Sequence, residues 1–242
     1  LNKTFELMIT VISSFFNESK NCQLFINMID ECSSVIPISE IVLVDNGSTD
    51  DTLSELNKFK SNDFIIKIIQ NPFNSKYGDG FHRAFKESKN EYILTLHSDL
   101  QFNLKDYIID NLKTFNECLH SNINIFPNRT NRSFVSLLRT NIFRMIVSTL
   151  YFHYFSDVNG HPKLLIKKDF KYLKQHCSGF GYDLTLYFYL KKMKKKINTK
   201  TYVRESNRKH GETSWNKNLV SSFKMLLKVL REFKEFKIIN FK

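Results

Sequence analysis

Short β-branched runs alternate with helix-like stretches through the first half of this 242-residue chain, and that alternation limits what it can fold into. Leu7 to Ser13 is followed by Gln23 to Cys32, Ile41 to Val44 by Thr52 to Phe59, and Ile65 to Gln70 by Phe81 to Glu87, before a further run at Tyr92 to Leu96. A strand that feeds a helix returns to its sheet by a right-handed crossover, so repeated units of this kind imply a mainly parallel sheet flanked by helices. Ligands of such sheets gather beyond the carboxyl ends of the strands. Polar groups fall there in this sequence: Asn17 and Glu18 after the first run, Asp45 to Asp51 after the second, His97 to Gln101 after the last. The second half is less regular, with an apolar helix-like stretch at Phe143 to Phe155 and a helix expected to be buried at Tyr182 to Met193.

A hydrophobic content of 42% at this length suits one α/β domain with a small appendage. The 36 Lys and Arg against 24 Asp and Glu leave a formal charge of +12, which favours anionic partners: nucleotide diphosphates, lipid phosphates or nucleic acid. A nucleic-acid module would interleave aromatic and basic residues on a sheet face or recognition helix, and that pattern is missing, so no nucleic-acid partner is expected. Cys22, Cys32, Cys118 and Cys177 are scattered, which indicates neither a zinc site nor a disulfide framework and fits a reducing compartment. No apolar run reaches the roughly 18 residues needed to span a bilayer, and no leader pattern opens the chain, so the expectation is a protein neither secreted nor integral to a membrane.

Two segments carry candidate chemistry. In IVLVDNGSTDDT (Ile41 to Thr52) a buried strand ends in an acidic, glycine-containing turn. Asp45 there can accept hydrogen bonds from a nucleobase or ribose, while Ser48, Thr49 or Asp50 can cap the next helix; a plain strand-to-helix turn would also account for these residues. In YILTLHSDLQ (Tyr92 to Gln101), Asp99 and Gln101 offer hard oxygen ligands suited to Mg²⁺ or Mn²⁺, and Asp99 could equally cap a helix. Positive charge comes from Arg129, Arg132 and Arg139, and from Arg208, Lys209 and His210 ahead of Gly211; guanidinium forks match phosphate oxygens, and a solvated basic surface is the plainer explanation.

Together these segments resemble the family 2 glycosyltransferases, in particular the branch with dolichyl-phosphate mannose synthase and bacterial polyprenyl-phosphate or polysaccharide glycosyltransferases. FFNES (Phe15 to Ser19), VDNGSTDDT, KYGDGFHRAF (Lys76 to Phe85), HSDLQ, NRTNR (Asn128 to Arg132), DVNGHPKLL (Asp157 to Leu165) and RKHGETSWN (Arg208 to Asn216) follow the family's order from about Leu7 to Asn216. The resemblance implies a GT-A fold, a divalent metal, a nucleoside-diphosphate sugar donor and inversion at the anomeric carbon. It places Asn17, Glu18 and Asp45 at the nucleoside, Asp99 and Gln101 at the metal, and Arg129, Arg132 and Arg208 at the phosphates. Asp183 falls near the family's general base, a role that a polyprenyl phosphate acceptor, already ionised, would not require; a glycan hydroxyl acceptor would. His97 departs from the acid many members carry. UDP and GDP donors both remain open, as does a homo-oligomer.

Other classes fit less well. A NAD enzyme needs G-x-G-x-x-G at the first turn, and a sugar nucleotidyltransferase needs a glycine-rich basic loop there; FFNES is neither. A catalytically impaired relative that only binds sugar nucleotides, or serves as a scaffold, is the alternative that His97 keeps open. The chain divides into a catalytic domain, residues 1–216, and a basic amphipathic tail, residues 217–242. In the tail Leu219, Phe223, Leu226, Leu227, Leu230 and Phe233 form an apolar stripe at helical spacing opposite Lys224, Lys228 and Arg231. Such a helix can lie on a membrane or pack on the domain; the charge pattern favours the membrane, which gives a cytoplasmic enzyme peripheral on the inner face. A chain ending at Asn218 is then expected to stay folded.

Overall fold

The computed structural model describes residues 7–210 and 219–241. The expected alternation is present: β1 (Ile9–Phe15), α1 (Ser19–Ser33), β2 (Ile38–Asp45), α2 (Thr52–Leu56), β3 (Ile65–Gln70), α3 (Tyr77–Glu87) and β4 (Tyr92–Thr95). Next come α4 (Leu104–Asp110), α5 (Leu112–His120), β5 (Asn124–Ile125), β6 (Asn128–Thr130), α6 (Phe134–Tyr151), β7 (Lys163–Ile166), α7 (Tyr182–Lys192), β8 (Ile197–Asn198), β9 (Tyr202–Arg204) and α8 (Leu219–Phe241). Seven strands form one sheet in the order β3-β2-β1-β4-β7-β5-β8, and β6 pairs with β9 beside it. The sheet is parallel except for β7, which runs against both β4 and β5.

Burial on both faces explains the unbroken apolar run of β2, whose Ile41, Val42, Leu43 and Val44 are all shielded from solvent. Alternation still sorts side chains between the faces. Val11 and Phe15 of β1 pack with Phe25 and Ile29 of α1, whereas Ile12 packs on the other side with Phe81 and Ala84 of α3. Gly80 lets α3 lie close to β1, because a Cβ there would run into the Ser14 hydroxyl. Helix α7 is buried nearly all round, as its sequence implies. All four cysteines are free and buried.

The tail departs from the expectation of a separable surface helix. Val229, Phe233 and Phe236 of α8 are buried in the same core as α3 and α7, with the Phe233 ring 4.8 Å from that of Phe188 and 4.3 Å from that of Tyr151. The apolar stripe is thus split: Phe233 belongs to the core, while Phe223 and Leu227, about three and two turns earlier, are exposed. Removing α8 would expose that core, so a chain ending at Asn218 is not expected to remain intact.

Candidate active site

Strand register brings the polar turns together. Phe15 of β1 lies beside Asp45 of β2, Asp45 beside Gln70 of β3, and Ile12 beside Thr95 of β4, so the segments that follow emerge along one edge of the sheet. The first two turns are bonded to each other. Asn17, in the left-handed region with φ 55°, donates its amide to Ser48 Oγ (3.0 Å) and accepts the Thr49 amide on Oδ1 (2.8 Å). Gly47 makes the β2 turn, with φ 75° and its Cα against the backbone of Phe73 where no side chain would fit. Asp50 accepts the amides of Thr52 (3.0 Å) and Ser19 (3.3 Å), so of the three capping candidates it serves the starts of both α1 and α2. Asp45 is buried at its strand end and accepts the Ser48 amide at 3.3 Å. Burial raises the Glu18 pKa, against a hydrogen bond from Asn21 and the nearby Arg208 guanidinium.

Asp99 lies at the mouth of this edge, buried, with the Arg208 guanidinium 2.9 Å from Oδ2 and Glu18 on the far side of the same guanidinium at 3.9 Å. Leu100 adopts the left-handed conformation, φ 55°, unusual for a leucine, and curls the chain between Asp99 and Gln101. The Gln101 carbonyl accepts the Ser206 amide at 2.7 Å, which ties the segment carrying Arg208 to the metal-candidate turn. The rest of RKHGETSWN, residues 211–216, lies outside the described residues.

A second cluster sits deeper. Asp183, at the start of α7, accepts Tyr77 Oη (2.8 Å) and Lys163 Nζ (2.9 Å), with His161 Nε2 at 3.6 Å. Lys163 is fully shielded from solvent and donates to His161 Nε2 at 2.5 Å; His161 Nδ1 then donates to the Thr95 carbonyl at 3.2 Å, which fixes its tautomer. His97 Nε2 is 3.2 Å from Tyr77 Oη. Burial alone would raise the Asp183 pKa, but the Lys163 ammonium outweighs it and holds the carboxyl well below its ordinary range. Burial drives His161 well below the usual histidine value, helped by His97 and Lys163, and lowers His97 as well, so both rings are neutral.

His97, His161 and Asp183 place ligand atoms within 4.8 Å of one another. They do not suit a divalent cation, because the Lys163 ammonium bonds both His161 and Asp183 and would repel it. Asp99 offers a hard carboxylate oxygen shortly after β4, and a cation could bind it only where the part-exposed Arg208 guanidinium moves aside, which the fully buried Lys163 cannot do.

Arg129 and Arg132 are placed differently from the phosphate contacts expected of them. Arg129 forms a two-pronged pair with Asp157 (2.8 and 2.9 Å) and reaches Glu205 at 3.4 Å; Arg132 pairs with Glu205 at 2.5 Å and donates to Thr140 at 2.6 Å and Ser136 at 2.5 Å. Their donors are spent on carboxylates and hydroxyls that bind β6, β9 and α6 together. The acids that claim them were not legible, since partners 28 and 76 residues away in sequence are set only by the fold. Lys163 and His161, within DVNGHPKLL, and Tyr77, within KYGDGFHRAF, were given no role from the sequence. The one local signal was a lysine opening the apolar run KLLI, which a buried strand admits only with a counter-charge.

A helix-flanked, mainly parallel sheet, with acidic turns along its carboxyl edge and a carboxylate–guanidinium pair at its mouth, defines a nucleotide-binding α/β enzyme. Residues 10–145, more than half of the chain, match the model of Glycosyl transferase family 2; the chain belongs to that family and is a glycosyltransferase. No curated protein matches its sequence. Among solved structures it is similar to glucosyl-3-phosphoglycerate synthase from Mycobacterium tuberculosis in complex with Mn²⁺, UDP-glucose and phosphoglyceric acid, at 15% identity and a TM-score of 0.67, covering 95% of this chain and 79% of that one. Mannosyl-3-phosphoglycerate synthase from Rubrobacter xylanophilus is similar at 14% identity and a TM-score of 0.70, covering 95% of this chain and 74% of that one. The shared fold is GT-A.

Proposed function

We propose that this enzyme moves a sugar from a nucleoside-diphosphate donor, with inversion, onto the phosphate of a polyprenyl phosphate or onto a lipid-linked or cell-surface glycan. The observation that carries the reading is the Asp99–Arg208 pair, level with Asn17, Glu18 and Asp45 at one sheet edge. The nucleoside would occupy the bonded turns of β1 and β2, where Asp45 and the Asn17–Ser48–Thr49 bonds set the shape of the pocket. The diphosphate would enter between Asp99 and Arg208, and the guanidinium would exchange its carboxylate for phosphate oxygens.

A Mg²⁺ or Mn²⁺ ion would be held by Asp99 and Gln101 and would neutralise charge on the leaving diphosphate. The structure similar to this one that contains Mn²⁺ and UDP-glucose supports that choice. In the transfer, an acceptor oxygen bonds the anomeric carbon as its bond to the diphosphate oxygen breaks, and the electron pair leaves with the nucleoside diphosphate. Asp183 is held ionised by Lys163 and is therefore a weak base. That favours a phosphate acceptor, which arrives ionised and needs no proton removed, and gives Asp183 and Lys163 the work of holding Tyr77 and His97 in place.

The phosphoglyceric acid in the similar structure carries a hydroxyl and a carboxylate besides its phosphate, so it stands for a different acceptor chemistry and serves as a separate arm of the test. The test is thermal denaturation with UDP or GDP, each with Mn²⁺, followed by transfer assays on polyprenyl phosphate and on phosphoglycerate. A ligand that binds only the native state raises its stability by RT ln(1 + [L]/Kd), so the preferred base gives the larger shift. No shift with either nucleotide overturns the donor site, and transfer to phosphoglycerate alone overturns the lipid acceptor.

A further inference from the structure

The least-buried long helix of the domain is α6. Of its 18 residues only Val147 is buried, although the helix is rich in Phe, Leu, Ile, Val and Met. Phe134, Leu138, Ile142 and Met145 are 78%, 48%, 43% and 62% exposed, and at about 100° per residue they fall within roughly a quarter turn. Phe152, which ends the helix in a left-handed cap, continues the stripe at 92% exposure. Val147 lies on the opposite side, against the core. The stripe is therefore the outer face of an anchored helix, about 27 Å long at 1.5 Å per residue.

Its charge is of one sign. No Asp or Glu stands between Arg129 and Asp157; Arg132 is neutralised by Glu205 at the base of the helix, which leaves Arg139 and Arg144 as its cations. Helix α8 meets α6 at the Tyr151–Phe233 contact, and its outer residues repeat the pattern: exposed Phe223 and Leu227 stand beside exposed Lys224 and Lys228. Neither helix is long and apolar enough to cross a membrane. A symmetric pairing of two copies through this face would bring the arginines of one towards those of the other, which disfavours self-association. Apolar side chains flanked only by cations match the headgroup region of an anionic bilayer instead.

We propose that the exposed face of α6, with the outer residues of the first half of α8, is the surface by which this glycosyltransferase lies on an anionic membrane. Its base fits that use. The chain leaves the domain for α6 after Arg129 and returns at Asp157, and the two-pronged Arg129–Asp157 pair closes the excursion while Arg132 braces the first turns of α6 through Ser136 and Thr140. The docking face is thereby fixed rigidly to the domain that holds the site. The use of such docking rests on the lipid-borne acceptor proposed above; the docking itself does not.

Co-sedimentation of the full chain with vesicles of phosphatidylcholine alone, or mixed equally with phosphatidylglycerol, tests this without donor or acceptor. The native chain should bind the anionic vesicles and be released by high salt. The Phe134→Ser, Met145→Ser, Phe152→Asn triple variant should lose about tenfold or more of that binding. These side chains are exposed, so the variant should keep its far-UV circular dichroism and its nucleotide-induced thermal shift; if it unfolds, Arg144→Gln with Lys224→Gln serves instead and should weaken binding at low salt. No binding by the native chain, equal binding by every variant, or a dimer in sedimentation that the triple variant breaks would each overturn the proposal. Loss of transfer to lipid acceptor with vesicle binding intact would count against the acceptor reading alone.

Discussion

Two carboxylate–cation pairs, Asp99–Arg208 and Asp183–Lys163, have the same 2.9 Å separation and opposite settings. Arg208 is 24% exposed and stands on a segment with no regular structure, after β9; Lys163 is fully shielded, on a strand in the middle of the sheet. Water and an incoming anion can compete for Arg208, whereas nothing can replace Lys163 without leaving Asp183 charged and alone in the interior. The same contact is thus exchangeable at the rim and structural below it. Distance alone does not tell a working ion pair from a fixed one; burial and the stiffness of the supporting backbone do.

The largest effect expected from this contrast is on stability. Lys163→Met should cost about 3–5 kcal/mol in denaturant unfolding, because it strands a buried carboxylate. The double variant Lys163→Met with Asp183→Leu should recover most of the loss. Arg208→Ala should leave the unfolding midpoint nearly unchanged and reduce turnover by about tenfold or more, while Lys194→Ala, which deletes an equal charge from exposed surface, should reduce neither. Equal effects of the two on turnover would return Arg208 to the solvated surface.

The sequence made the rim legible and hid the interior, for a physical reason. Asp45, Asp99 and the turns around them sit at strand ends, where β-branched runs stop and polar residues begin, so their place on the sheet edge follows from local pattern. The interior cluster joins Tyr77, His97, the His161–Lys163 segment and Asp183 from four places in the chain, and its pairing follows only from packing. Arg129 and Arg132 show the converse: expected from the sequence to contact phosphates, they are paired in the structure with Asp157 and Glu205, acids that no local pattern brings beside them. Helix α8 is divided, with Phe233 in the core and Phe223 and Leu227 exposed, since an amphipathic pattern does not say how much of the stripe the protein covers.

Two smaller effects sharpen the distinction between rim and interior. Glu232 of α8 accepts the Gly181 amide at 2.9 Å, capping the helix that carries Asp183. Glu232→Ala should cost about 1–2 kcal/mol in thermal unfolding, measured against Glu235→Ala on the exposed side of α8. On α3, burial lowers the His82 pKa to about 3, with His176 stacked on it at 3.8 Å and Lys86 adding to the shift. The unfolded chain takes up that proton near pH 6.5 and the folded chain does not, so stability should decline as pH falls from about 6.5 to 3. His82→Gln should remove that part of the slope in urea unfolding measured across the window.

The exchangeable rim is tested most directly by Asp99. Titration of Mn²⁺ and the preferred nucleoside diphosphate into native protein and Asp99→Asn, with turnover of the sugar nucleotide measured alongside, isolates the carboxylate charge while keeping its shape. The native protein should gain thermal stability only when metal and nucleotide are present together. Asp99→Asn should fold normally, lose that joint gain, and lose about 10²-fold or more in turnover. A joint gain and a turnover equal to the native protein's would contradict the assignment of the metal and diphosphate to this edge of the sheet.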